Sequence, residues 1–68
     1  TVRLTLTEGE VSTPSSLECD PERVFSCGTV MVIDGKKWRI RAIHTGVGRT
    51  LRGKRVAAEV RRMYLHLI

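Results

Sequence analysis

Val2, Leu4 and Leu6 alternate with Arg3, Thr5 and Thr7 at the head of the chain, the period-two mark of a strand with one buried face. Glu8-Gly9-Glu10 then turns the chain. Val11 to Glu18 is polar and β-branched with Pro14 inside it. Proline has no N–H to give to a ladder, so this stretch predicts an edge strand or an irregular one. Asp20-Pro21-Glu22 is a turn signature, because proline presets φ at the second turn position. Val24 and Phe25 lead into Cys27-Gly28, where the glycine marks a bend or a bulge.

Thr29 to Ile33 and Lys37 to Ile43 flank Asp34-Gly35, the strongest short-range hairpin signal in the chain. Two registers compete, and they put opposite side chains in the core. A two-residue turn at Asp34-Gly35 sets Met31 opposite Trp38 and leaves Val30 and Val32 beside Arg39 and Lys37. A three-residue loop, Ile33-Asp34-Gly35, sets Val30 opposite Trp38 and groups Val30, Val32, Trp38, Ile40 and Ala42 on one face. The second is the expectation, because it yields one coherent apolar face.

His44 to Arg55 reads as a basic loop or second hairpin around Leu51. At the C-terminus, Val56, Val60, Met63, Tyr64 and Leu67 match one face of a helix, while Met63, Leu65 and Leu67 alternate as a strand. Ala57-Ala58-Glu59 suits a single helical turn before such a strand, and pattern alone leaves Val56 to Ile68 open between the two. The elements together predict an all-β fold: a small SH3-like barrel of five to six short strands, with one helical turn before the last. Closing a sheet on itself removes edges that so short a chain can hardly cover. An OB-type barrel is the runner-up.

The 68 residues make one domain, 1–68, near the lower limit for folding on a single core. With Phe25, Trp38 and Tyr64 as its only aromatics, the chain must fill that core with Val, Leu and Ile. No apolar run is long enough to span a membrane, so no membrane partner is expected. Thr1 already lies inside a strand pattern and no initiator Met precedes it, which reads as a piece of a longer protein.

Charge changes the picture. Residues 1–34 hold two basic side chains (Arg3, Arg23) against six acids, whereas residues 35–68 hold ten basic side chains against Glu59 alone, for a net charge of +5. A basic half of that density gathers polyanions, and each neutralised phosphate is rewarded by counterion release. Lys37, Arg39 and Arg41 fall on the solvent face of one strand at a spacing of roughly 7 Å, near the separation of successive phosphates. Arg49, Arg52, Lys54 and Arg55 on the following loop extend the patch. Trp38 is the only plausible stacking platform and faces the core, which favours contact with the backbone over reading of bases. The plainer alternative is a solvated strand face, or ion pairs with the acidic half.

Little else points to chemistry. Gly46-Val47-Gly48-Arg49-Thr50 lacks the Gly-Lys-Ser/Thr ending of a phosphate-binding loop. His44 and His66 have no acid nearby in sequence, and Cys27 reads as a small buried hydrophobe. Cys19 and Cys27, with seven residues between them, do not have the close spacing of a zinc knuckle and read as free thiols. No cofactor, metal site or enzymatic activity is expected.

The run Cys27-Gly28-Thr29-Val30-Met31-Val32-Ile33-Asp34-Gly35-Lys36-Lys37-Trp38-Arg39-Ile40, followed by Ala57-Ala58-Glu59-Val60 and a short apolar end, resembles the β-rich C-terminal part of a family of small uncharacterised archaeal proteins. In that family a zinc ribbon precedes this domain. The resemblance implies a cytoplasmic archaeal protein and tilts the C-terminus toward a strand. The ribbon's zinc ligands do not carry over, because no close cysteine pair exists here. Two functions follow from the residues: a non-catalytic module binding nucleic acid, RNA rather than DNA, or a protein-interaction or self-association module whose acidic half meets a basic partner or a second copy.

Overall fold

The computed structural model describes all 68 residues. Eight strands occur in chain order: β1 (Val2–Glu8), β2 (Val11–Leu17), β3 (Val24–Ser26), β4 (Val30–Ile33), β5 (Lys36–Thr45), β6 (Gly48–Thr50), β7 (Lys54–Val56) and β8 (Val60–Leu67). One 3-10 turn, Ala57–Glu59, precedes the last strand. Strands take 66% of the chain, so the all-β expectation and the helical turn are both met, and Val60–Leu67 is strand.

Six strands form one sheet in the order β2-β1-β8-β5-β4, with β6 paired to β5; β3 and β7 form a separate two-stranded ribbon. β1 runs parallel to β8, and the other pairs are antiparallel. The expected barrel does not close. β2 and β4 remain edges, and they approach at one end around a cavity of about 230 Å³ lined by Leu6, Val11, Ile33 and Trp38, with Glu8 and Lys36 in a 3.7 Å ion pair. Pro14 sits on the β2 edge, where a missing donor is tolerated. The Asp20-Pro21-Glu22 turn is present, closed by Arg23 N–H donating to the Asp20 carbonyl at 3.0 Å and Glu22 N–H to its carboxylate at 2.9 Å.

The β4–β5 hairpin adopts the register that was not expected. Met31 pairs with Trp38, Val32 with Lys37 and Ile33 with Lys36, which leaves a two-residue turn. Asp34 and Gly35 both have positive φ, 50° and 79°, the stereochemistry that matches the twist of paired strands. Met31 and Trp38 are therefore buried, while Val30 and Val32 are 44% and 67% exposed. Turn geometry outweighed the tidier apolar face, because two exposed valines cost less than splayed strands.

Val2, Leu4, Phe25, Met31, Trp38, Ile40, Ile43, Ala57, Val60, Met63 and Leu65 make one buried cluster under the inner face of the sheet. Two bulges make that cluster possible. Ile40 pairs with Leu65 but Ala42 with Tyr64, so Arg41 is an extra residue on β5; His44 pairs with Arg62 but Thr45 with Val60, so Arg61 is extra on β8. Strict alternation would turn Ile43 outward and Arg61 inward. The bulges bury Ile43 and Val60 instead and keep the Arg61 guanidinium in water, avoiding the cost of burying an ionised group.

Candidate nucleic-acid interface

The bulge at Arg41 also decides what the outer face of the sheet carries. Past it, Ala42 and His44 turn outward and share the face with Tyr64 and His66 of β8. His44 and Tyr64 pack with ring centroids 4.8 Å apart at an interplanar angle of 56°, the tilted geometry aromatic rings prefer. The register then lines up a row across four strands: Arg3 beside Arg62, Arg62 beside His44, His44 beside Arg49. Three strand spacings separate Arg3 from Arg49, roughly 14 Å. Arg62 is held in place, donating from Nη1 to Thr5 Oγ1 at 2.9 Å. His66 and Arg39 pair in a parallel row.

The expected basic residues divide into groups. Lys37, Arg39 and Arg41 are exposed, as expected, but the bulge at Arg41 ends their simple alternation. Arg39, Arg41 and Arg52 line a cleft beside Gly28 and Leu51. Arg41 and Arg49 line a second depression of about 400 Å³ together with His44 and Tyr64. Lys54 and Arg55 lie apart from these on the β3–β7 ribbon, lining a depression with Val24 and Glu59. Arg55 Nη1 donates to the Lys54 carbonyl at 2.6 Å.

Arg3, Arg62, Tyr64, His44 and His66 of the outer face lay outside the expected patch. Nothing in a single sequence joins Arg3 to Arg62, because their adjacency comes from a parallel pairing of the first strand with the last. Tyr64 had a signal, since it alternates out of phase with buried Met63 and Leu65 once the C-terminus is read as strand. Trp38 faces the core as expected.

Electrostatically the face has no counterweight. β5, β6 and β8 contain no acidic residue, and Glu8–Lys36 is the one ion pair in the molecule. The extensive pairing of acidic and basic halves that the sequence allowed does not occur.

The geometry thus defines a small all-β domain whose open sheet presents a basic, partly aromatic outer face. Residues 1–66 match the family described as CPxCG-related zinc finger, and the chain belongs to that family. No curated protein and no solved structure matches it. The match extends over nearly the whole chain, further than the C-terminal likeness noted in the sequence.

The family's name implies zinc, and the residues present do not fit that ion. No Cys-Pro-x-Cys-Gly segment occurs in the chain. Cys19 and Cys27 are free thiols, and no three His, Cys, Asp or Glu side chains are grouped to hold a metal. Cys27 packs against the core and donates from Sγ to the Thr50 carbonyl at 3.5 Å. Burial pushes its pKa above the ordinary 9.0, with Arg55 opposing in part. A zinc ligand needs the opposite shift, toward thiolate.

Proposed function

We propose that this domain is a non-catalytic module that binds nucleic acid, single-stranded RNA in particular, through the outer face of its sheet. One observation carries the reading: the arginines of that face have no carboxylate partners, the molecule's single ion pair lying at the far end of β1 and β5. Cations without internal counterions leave phosphate as their natural complement, and counterion release favours the exchange. The row Arg3, Arg62 and Arg49, with Arg39, Arg41 and Arg52 beside it, suits a strand laid across the sheet, its roughly 14 Å length covering about two of the roughly 6–7 Å steps between extended phosphates. Single-stranded RNA is favoured because the face carries a tyrosine and a histidine on which an unstacked base can lie.

The test is a fluorescence-polarisation titration with labelled single-stranded RNA and duplex DNA at about 50 and 200 mM salt. Tighter binding of the RNA, weakened tenfold or more by the added salt, supports the reading. No binding at either salt removes it.

A second reading, self-association, rests on β4, where Val30 and Val32 are exposed on a strand whose outer edge has no partner. A second copy paired there would cover both valines. Sedimentation showing a concentration-dependent dimer that is lost on Val32→Lys would support it.

A further inference from the structure

The depression on the outer face lined by Arg41, Arg49, His44, Leu51, Tyr64 and His66 differs from the other clefts in composition. It joins two guanidiniums to an aromatic pair and an exposed leucine within about 400 Å³. A free anion has no use for Tyr64 and Leu51, and an apolar ligand has none for Arg41 and Arg49. A nucleotide matches both halves, with a flat π-face on one side and a phosphate on the other.

A further observation marks the same place. Nε2 of His44 is buried and without a hydrogen-bond partner, one of only two such side-chain atoms in the molecule. An orphaned buried polar atom is costly, and a neutral imidazole nitrogen can be completed by a donor or an acceptor, depending on tautomer. The edge of a base offers both. A ligand reaches Nε2 only if a neighbouring side chain moves. Arg49, the cross-strand partner of His44 on β6, is exposed and has no carboxylate to hold it.

We propose that this depression is a base subsite: one unpaired nucleobase of the bound RNA stacks on Tyr64 and completes His44, while Arg41 and Arg49 take the adjoining phosphates. The proposal rests on the nucleic-acid reading above and adds that one base, and not the backbone alone, is held.

The experiment compares a short single-stranded oligoadenylate with the same strand made abasic, which keeps every phosphate and removes every base. The chain should bind the oligoadenylate about fivefold or more tightly than the abasic strand, the lower end of what one stacked base contributes. Tyr64 is the only tyrosine, so its ring-proton signals report the site directly. They should move upfield with oligoadenylate and stay in place with the abasic strand. Tyr64→Phe should keep the preference, and Tyr64→Thr should abolish it. Should Tyr64→Thr fail to fold, the comparison of the two strands on the unaltered chain still decides. Equal, salt-dependent affinity for both strands would overturn the base subsite and leave the basic face standing. Binding of neither strand would overturn both.

Discussion

Replacing Arg3 and Arg49 together by glutamine separates a phosphate row from a merely basic surface. Both side chains are exposed, at the two ends of the row that crosses β1, β8, β5 and β6, and neither belongs to the buried cluster. The fold should therefore be unmoved, within the roughly 0.5 kcal/mol usual for surface changes. Binding should not be. Each phosphate neutralised on a single strand contributes about −0.7 to the slope of log K against log salt, so losing two contacts should flatten the slope by about 1.4. Over a fourfold rise in salt, from about 50 to 200 mM, that change shrinks the salt-induced loss of affinity by about sevenfold. The subtraction is independent of what Arg62, Arg39, Arg41 and Arg52 add. Lys54→Gln with Arg55→Gln is the matched control, since it removes the same charge from the β3–β7 ribbon, where those residues line a separate depression. Fluorescence polarisation at four or more salt concentrations gives both slopes. An unchanged slope in the Arg3/Arg49 variant, or an equal drop in the ribbon variant, would refute the row and leave only diffuse attraction.

Three further outcomes test the local chemistry. Gly35→Ala places a Cβ in open space but at φ +79°, so it should destabilise the chain through backbone strain alone, by about 1–2 kcal/mol in urea unfolding. Because the folded-state pKa of Cys27 is raised by burial, its stability contribution is fully present below pH 9.0 and lost as pH rises past it. Urea unfolding should show this decline above pH 9.0, and Cys27→Ser should lack it. Lacking a group of zinc donors, the chain should keep the same melting temperature in EDTA as in added zinc; a rise with zinc would show ligands brought together some other way.

Much of this fold is legible from local pattern. The alternation of Val2, Leu4 and Leu6, the edge marked by Pro14, the Asp20-Pro21 turn and the Asp34-Gly35 hairpin each follow from one or two residues whose backbone preferences are narrow. Register was harder to read, since it sets two local rules against each other. Counting apolar side chains favours Val30 and Val32 in the core, while the positive φ of Asp34 and Gly35 demands a two-residue turn that puts Met31 there instead. Local pattern does not reveal the bulges at all. Arg41 continues the outward phase of Lys37 and Arg39 without a break, and only the need to bury both Ile40 and Ile43 against Leu65 and Met63 forces the extra residue. That one insertion brings His44 to Tyr64. The site accordingly was half visible: basic residues can be counted along a strand, but a row across four strands exists only once nonadjacent segments are paired.

The central claim is that nucleic acid lies across the outer face of the sheet. Amide and side-chain chemical-shift mapping of the isotope-labelled chain, titrated with single-stranded RNA at low salt, tests it most directly. The account predicts that the shifts cluster on Arg3, Arg62, Tyr64, His44 and Arg49, with Val24–Ser26 and Lys54–Val56 of the ribbon unchanged. Shifts confined to the ribbon, or to the β2 and β4 edges around Trp38, would contradict it.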